Sequence, residues 1–240
     1  KNFLFVDGRY TEQAKAQVGK NFKVLEMPKK LPHQILSLNL NLGFDPMVFT
    51  SRNLLYYFRN KVRLTPITKT IINSNISNNH TTKKFYSLNP KVVGETVNNK
   101  IKRLIRILKK DRSDHIFISA PENVAWLLNI RGKDNPFSPM PNCRAILNSK
   151  GKIVFFSDIK KSSNIKKERD FLGAYFFKEN QIKSFLSKLN VNKIIIDKNS
   201  CPVLLENLIS SKFKISKIGD PIYLMKSIKN KVEINKTIES

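Results

Sequence analysis

The sequence predicts an α/β fold, and three observations carry that expectation. Short runs rich in β-branched and aromatic residues, such as residues 3–6 and 115–119, alternate with longer stretches of helical period. This alternation runs twice, on either side of an Asn/Ser/Thr-rich stretch with no apolar period. Hydrophobic residues make up 40% of the 240 residues, enough to build the core of one large or two small domains.

In the first series, residues 3–6 read as a buried strand and Asp7-Gly8 as a tight turn. Residues 10–18 read as a helix with Thr11 near its cap, and residues 22–27 as a second strand. Pro28 and Pro32 bracket a helix start that residues 33–38 continue. Residues 40–44 form a third strand ending at Asp45-Pro46. An amphipathic helix over 50–61 carries Leu54, Leu55 and Phe58 on one face, and residues 62–68 are a weaker fourth strand. Residues 71–92 are expected to be a linker.

In the second series, Thr96 is placed to cap a helix bearing Val97, Ile101, Leu104, Ile105 and Leu108 at helical spacing. Its other face, with Lys100, Lys102, Arg103, Arg106, Lys109 and Lys110, reads as a solvated basic face with phosphate binding as the functional alternative. Residues 115–119 are a strand feeding the stretch from Glu122 to Asp134, which holds the single Trp. Pro121 suits a first helical turn and Gly132 a helix stop. Pro136, Pro139 and Pro141 then hold an extended loop, with Arg131 and Asp134 expected as a local pair. Residues 144–147 and 152–157 read as a hairpin turning at Ser149-Lys150-Gly151. Helices are expected over 158–172, 178–189 and 202–211, strands over 175–177, 193–197 and 213–216, and a charged tail from Lys226.

Composition narrows the function. Lys+Arg 44 minus Asp+Glu 18 gives +26, a balance that suggests polyanionic partners. Asn, Ile and Ser rise together with Lys, however, as in AT-rich coding sequence, and the basic residues are spread without the Gly/aromatic interleaving of an RNA-binding sheet. No nucleic-acid partner is therefore expected. No apolar run approaches the ~18 residues of a membrane span, so no membrane partner is expected either. Cys143 and Cys201 form no metal-ligand spacing, and a reduced, cytoplasmic setting is the default.

No hydrolytic centre can be assembled from the residues. His33, His80 and His115 fall in no HxxE or HExxH pattern, and no nucleophile elbow or P-loop is present. Asp7, Asp45, Asp134, Asp158, Asp197 and Asp220 sit at strand or turn ends, where acids serve turns.

Four segments, in order, resemble the N-terminal region of Xaa-Pro aminopeptidases (aminopeptidase P) of the creatinase-like, pita-bread metallopeptidase superfamily. Asp7-Gly8-Arg9-Tyr10 with Gln13-Ala14 is similar to that family's DGRY-x-x-QA segment. Leu42-Gly43-Phe44-Asp45-Pro46 is similar to its hG-h-DP segment, where h is apolar. The stretch from Glu122 to Asp134 and the Pro-rich loop after it form the third match. Asp220-Pro221-Ile222 with residues 226–234 resembles the joint into the catalytic domain. The Trp-containing segment and Pro pair that the family carries near residues 71–92 have no clear counterpart.

The resemblance implies two consecutive creatinase N-terminal-like domains with a ribonuclease H-like motif, each a mixed sheet flanked by helices. Residues 1–70 would be the later part of the first, missing its opening strands and leaving a sheet edge exposed. Residues 71–92 would be the linker, 93–225 the second domain, and 226–240 the connection toward an absent pita-bread catalytic domain. The family's dinuclear metal, usually manganese, is held by that catalytic domain. None of its ligands or catalytic residues maps here, so no cofactor and no activity are expected of this fragment alone. Arg9 matches the family arginine that reaches the substrate groove. The intact relative would be a cytoplasmic homodimer releasing N-terminal residues that precede proline. The alternatives are a creatinase-like or inactive relative serving as an interaction module, and a basic nucleic-acid-binding module.

Overall fold

The computed structural model describes residues 2–59, 61–67 and 83–240. The chain divides into two units, Lys1–Ser74 and Asn75–Ser240. The part of the expected linker at 71–82, with His80, lies outside the described residues.

The first unit is built from two strand–helix–strand pairs. β1 (Asn2–Asp7) runs through a 3-10 turn at Gly8–Tyr10 into α1 (Thr11–Gln17). The chain returns as β2 (Phe22–Met27), parallel to β1 with Phe5 opposite Leu25. β3 (Asn41–Phe44), α2 (Ser51–Phe58) and β4 (Arg63–Pro66) repeat the arrangement, again parallel. Thr50 caps α2 by accepting from the Asn53 N–H, and Arg59, at φ 46°, ends it. Each pair is a separate two-stranded sheet, so each strand has one edge unpaired among the described residues. Phe3, Phe5, Phe22, Leu36, Leu42, Phe49 and Phe58 line an apolar groove of about 980 Å³ in this unit.

Two expectations fail here. The helix over 33–38 is only a 3-10 turn at Pro32–Gln34, because the Gln34 side chain turns back to accept from the Leu31 N–H. Leu55 does not share the buried face of Leu54 and Phe58: one residue on from Leu54, it is rotated about 100° and lies exposed.

The second unit opens with β5 (Tyr86–Ser87), α3 (Pro90–Val93), α4 (Val97–Asp111), β6 (His115–Ile118), α5 (Pro121–Leu127) and β7 (Ile130–Arg131). It continues with β8 (Cys143–Asn148), β9 (Ile153–Ser157), α6 (Ile159–Ser162), β10 (Tyr175–Phe177) and α7 (Ile182–Lys188). β11 (Lys193–Ile196), α8 (Val203–Ser210), β12 (Lys214–Ile215), α9 (Ile222–Ser227) and α10 (Lys231–Glu239) complete it.

Six strands form one mixed sheet in the order β10-β9-β8-β6-β11-β12, in which β8 alone runs against the rest. Leaving out β10, the order is third, second, first, fourth, fifth strand with the second reversed, the ribonuclease H-like arrangement. The sheet is buried on both faces, so β6 and β11 read as continuous apolar runs. Ile116, Ile118 and Phe155 join the α4 and α5 side chains in the main core. Phe156 points the other way and meets Phe177 and, at 5.5 Å between ring centres, Phe185 of α7.

Residues 83–92 belong to this unit: Phe85 is fully buried in its core, and β5 pairs antiparallel with β7. The helix expected over 158–172 is α6 followed by 3-10 turns at Ile165–Lys167 and Arg169–Phe171. The charged tail from Lys226 holds the end of α9 and then α10, on which Asn230 and Glu233 form a reciprocal N-terminal cap.

Asn230 also donates to Val93 O at 2.8 Å, tying α10 to the end of α3. Gly94 makes this tie possible: it has φ 78°, and an added Cβ would stand 2.2 Å from Asn230 Oδ1. Gly94→Ala is therefore expected to cost about 2 kcal/mol, from left-handed strain and the lost cap together. Amide exchange in α10 should accelerate; unchanged exchange there would show that the tie does not hold the helix.

Candidate functional site

Two places carry chemistry, one in each unit. In the first, the tight turn after β1 presents Arg9. Asp7 Oδ1 accepts from the Arg9 N–H at 3.0 Å and from Arg9 Nε at 2.9 Å. The turn thus closes on its own ion pair, and the hydrogen bond from Arg9 leads the causes that hold the Asp7 carboxyl below its usual range. The same bond raises the guanidinium above its usual value. Arg9 nevertheless remains 79% exposed along its side chain, although Nη2 also donates to Asp7 Oδ2 at 3.5 Å.

In the second unit the Pro-rich loop is stapled at its base. Asp134 forms an ion pair with Lys161, and the two side chains are only 2% and 10% exposed. The second oxygen of Asp134 accepts from the Asn142 N–H at 2.6 Å, closing the loop from both ends. Gly132 permits this closure, since an added Cβ would meet Pro141 Cα at 2.7 Å. Phe137 rides at the tip with 98% of its surface exposed, above a turn in which Asn135 Oδ1 accepts its N–H.

Arg131 and Asp134 are not the local pair expected from sequence. Arg131 turns inward to donate to Ala125 O and Ile130 O, leaving Asp134 to Lys161, a partner 27 residues away. Nor does Gly132 stop the Trp126 helix: α5 ends at Leu127, and Asn129, two residues on, takes the left-handed φ of 52°. The other acids behave as expected, with Asp45, Asp158, Asp197 and Asp220 each accepting an N–H two residues ahead.

Sequence reasoning missed Lys100, placed on the solvated face of α4 but only 2% exposed. Its ammonium donates to Trp126 O and Asn129 Oδ1 and lies 4.1 Å from the centre of the Trp126 ring. Burial lowers its pKa to about 8, opposed by the Glu95 and Glu233 carboxylates. The available signal was position: Lys100 precedes Ile101 and is four residues from Leu104, so it borders the apolar stripe. A second network was also missed. Buried Asn123 donates to Asp220 at 2.8 Å and accepts from Lys226 at 2.6 Å, joining α5 to the α9 region. Burial raises the Asp220 pKa.

His33 is buried with Nδ1 3.2 Å from Tyr57 O, and His115 opens β6 with a pKa lowered by burial. Both cysteines are buried and unpaired, with thiol pKa values pushed up by burial, Cys201 to about 12. Among the described residues no group of three His, Cys, Asp or Glu could hold a metal ion, and no helix is long and apolar enough to cross a membrane. Among those residues the donor set does not fit a dinuclear metal.

A mixed sheet with one reversed strand, with the Pro-rich loop following α5 and β7, makes the second unit a ribonuclease H-like α/β domain. The chain belongs to the Creatinase/Prolidase N-terminal domain family, whose model matches residues 77–233. It is 32% identical over 151 residues to Xaa-Pro aminopeptidase 1 of Dictyostelium discoideum, covering 62% of this chain and 24% of that protein. It is 25% identical over 263 residues to Xaa-Pro aminopeptidase ApepP of Drosophila melanogaster, covering 99% and 41%. Its fold matches the crystal structure of X-prolyl aminopeptidase from Caenorhabditis elegans, a cytosolic enzyme with a di-nuclear active site. That match has a TM-score of 0.80 and 19% identity, and covers 99% of this chain and 42% of that one. The chain thus spans less than half the length of these relatives.

Proposed function

We propose that this chain is the non-catalytic N-terminal region of an Xaa-Pro aminopeptidase and shapes one wall of its substrate cleft. The observation that carries this reading is the family domain over residues 77–233, preceded by an exposed Arg9 fixed on a strand-end turn. Residues 1–70 would be part of a first N-terminal-type domain and residues 83–225 a second, with 226–240 leading toward the catalytic part. Manganese would be held there, in a cytoplasmic homodimer acting on peptides with proline in second position. The described residues supply no metal-ligand set of their own.

Arg9 would act as a binding group. Asp7 holds the guanidinium through Nε and, at 3.5 Å, Nη2, which would leave Nη1 as the donor for a peptide carbonyl or carboxylate. In the full-length protein, Arg9→Gln is expected to raise KM for an Xaa-Pro peptide about tenfold with kcat within about twofold. Arg9→Lys should recover only part, because an ammonium lacks the planar fork. An unchanged KM in Arg9→Gln would remove Arg9 from the site. The 240-residue chain alone should turn over no proline-containing peptide, with or without added manganese; turnover by it would overturn the assignment.

A further inference from the structure

We propose that the second unit carries a binding site for a small organic polyphosphate, a nucleoside triphosphate or a ligand of that shape, independent of peptide hydrolysis. The site is a cavity of about 620 Å³ where α4, the β8–β9 turn and the 3-10 turn at Arg169–Phe171 converge. That volume lies within the range usual for small-molecule sites. Its lining has two parts. Ile101, Ile105, Ile153 and Ala174 form an apolar floor. Lys102, Lys150, Lys152 and Arg169 supply four cations from three separate chain segments, against one carboxylate, Asp170.

None of these four cations forms an ion pair among the described residues. Elsewhere in the unit, partly buried cations find carboxylates, as Arg103 finds Glu95 and Lys193 finds Asp111. The turn carrying two of the cations is rigid: Asn148 Oδ1 accepts from the N–H groups of both Lys150 and Lys152. Lys152 Nζ is held 4.4 Å from the centre of the Tyr175 ring. Four cations around one concavity against one carboxylate leave its rim net positive, and an anion of several charges is favoured there. The apolar floor selects for an anion attached to a flat or apolar body, which inorganic phosphate lacks.

ATP titrated calorimetrically into the 240-residue protein without divalent cation should bind one to one. Affinity should fall steeply from about 50 to about 200 mM salt. Tripolyphosphate should bind more weakly than ATP, and adenosine should not bind measurably. Lys102→Ser with Lys150→Ser, Lys152→Ser and Arg169→Ser should abolish binding. Lys102→Glu, a single change on an exposed helix face, should weaken it about tenfold or more. A control removing four cations elsewhere in the unit, Lys109→Ser, Lys110→Ser, Lys183→Ser and Lys188→Ser, should keep affinity within about twofold. Equal losses in the control and the cavity variant would reduce binding to overall charge and overturn the site. So would tripolyphosphate binding as tightly as ATP, or no ATP binding at low salt. None of these results bears on the aminopeptidase reading.

Discussion

Asp134→Ala is expected to destabilise the second unit by about 3–5 kcal/mol. The reason is the stranded partner. Lys161 lies almost wholly inside the protein, and its ammonium faces Asp134. Removing the carboxylate leaves a buried charge with no counterion and also orphans the Asn142 N–H. The Lys161 backbone carbonyl accepts from the Phe85 N–H, so disorder at this point would spread to the buried start of the unit. Urea unfolding followed by Trp126 emission reports on this unit alone, because it holds the single Trp. Asp134→Asn should cost less, since an amide oxygen still accepts from Asn142. Pairing Asp134→Ala with Lys161→Met should recover much of the loss. A midpoint unchanged in Asp134→Ala would show that the pair does not staple the loop.

The second large effect is a pH dependence centred on Lys100. Its folded-state pKa, about 8, lies below the ordinary 10.5, chiefly through burial. The unfolded chain therefore holds this proton to higher pH than the folded protein does. Between about pH 8 and 10.5 the unfolded state binds more protons, so stability rises with pH across that window, by up to about 3 kcal/mol. Lys100→Met removes the titrating group. It also removes the donor to Trp126 O and Asn129 Oδ1, while relieving the cost of a buried charge. At neutral pH these two effects oppose, and the variant should lie within about 1 kcal/mol of the wild type. At about pH 10 it should fall behind by roughly the full gain that it forgoes. Parallel stability curves for the two proteins from pH 7 to 10 would show that Lys100 does not titrate in this way.

Much of the fold was legible because it rests on local chemistry. The Thr50 and Thr96 caps form as their positions suggest. The hairpin turns at Ser149–Gly151, with Gly151 at φ 88°. The acids at strand ends make the short turns that their spacing allows. The errors have a common cause in longer-range contacts. Lys100 looked solvated because helical periodicity places a residue on a face without saying what covers that face. Arg131 and Asp134 looked paired because they are neighbours in sequence, yet Arg131 turns back to carbonyls of its own segment and Asp134 pairs with Lys161, 27 residues away. Gly132 looked like a helix stop, but its lack of a side chain admits Pro141, nine residues on.

By itself the sequence determined the class of the protein: alternating strands and helices, the caps and turns that bound them, and motif words whose order marks a creatinase-type N-terminal region. Those features depend on residues within a turn or two of one another, where propensity and hydrogen-bond chemistry act directly. Only the tertiary structure decided which charges are buried, which loop is pinned, and which cations gather around one cavity. Such outcomes depend on desolvation and on partners from distant segments, and no local pattern records them.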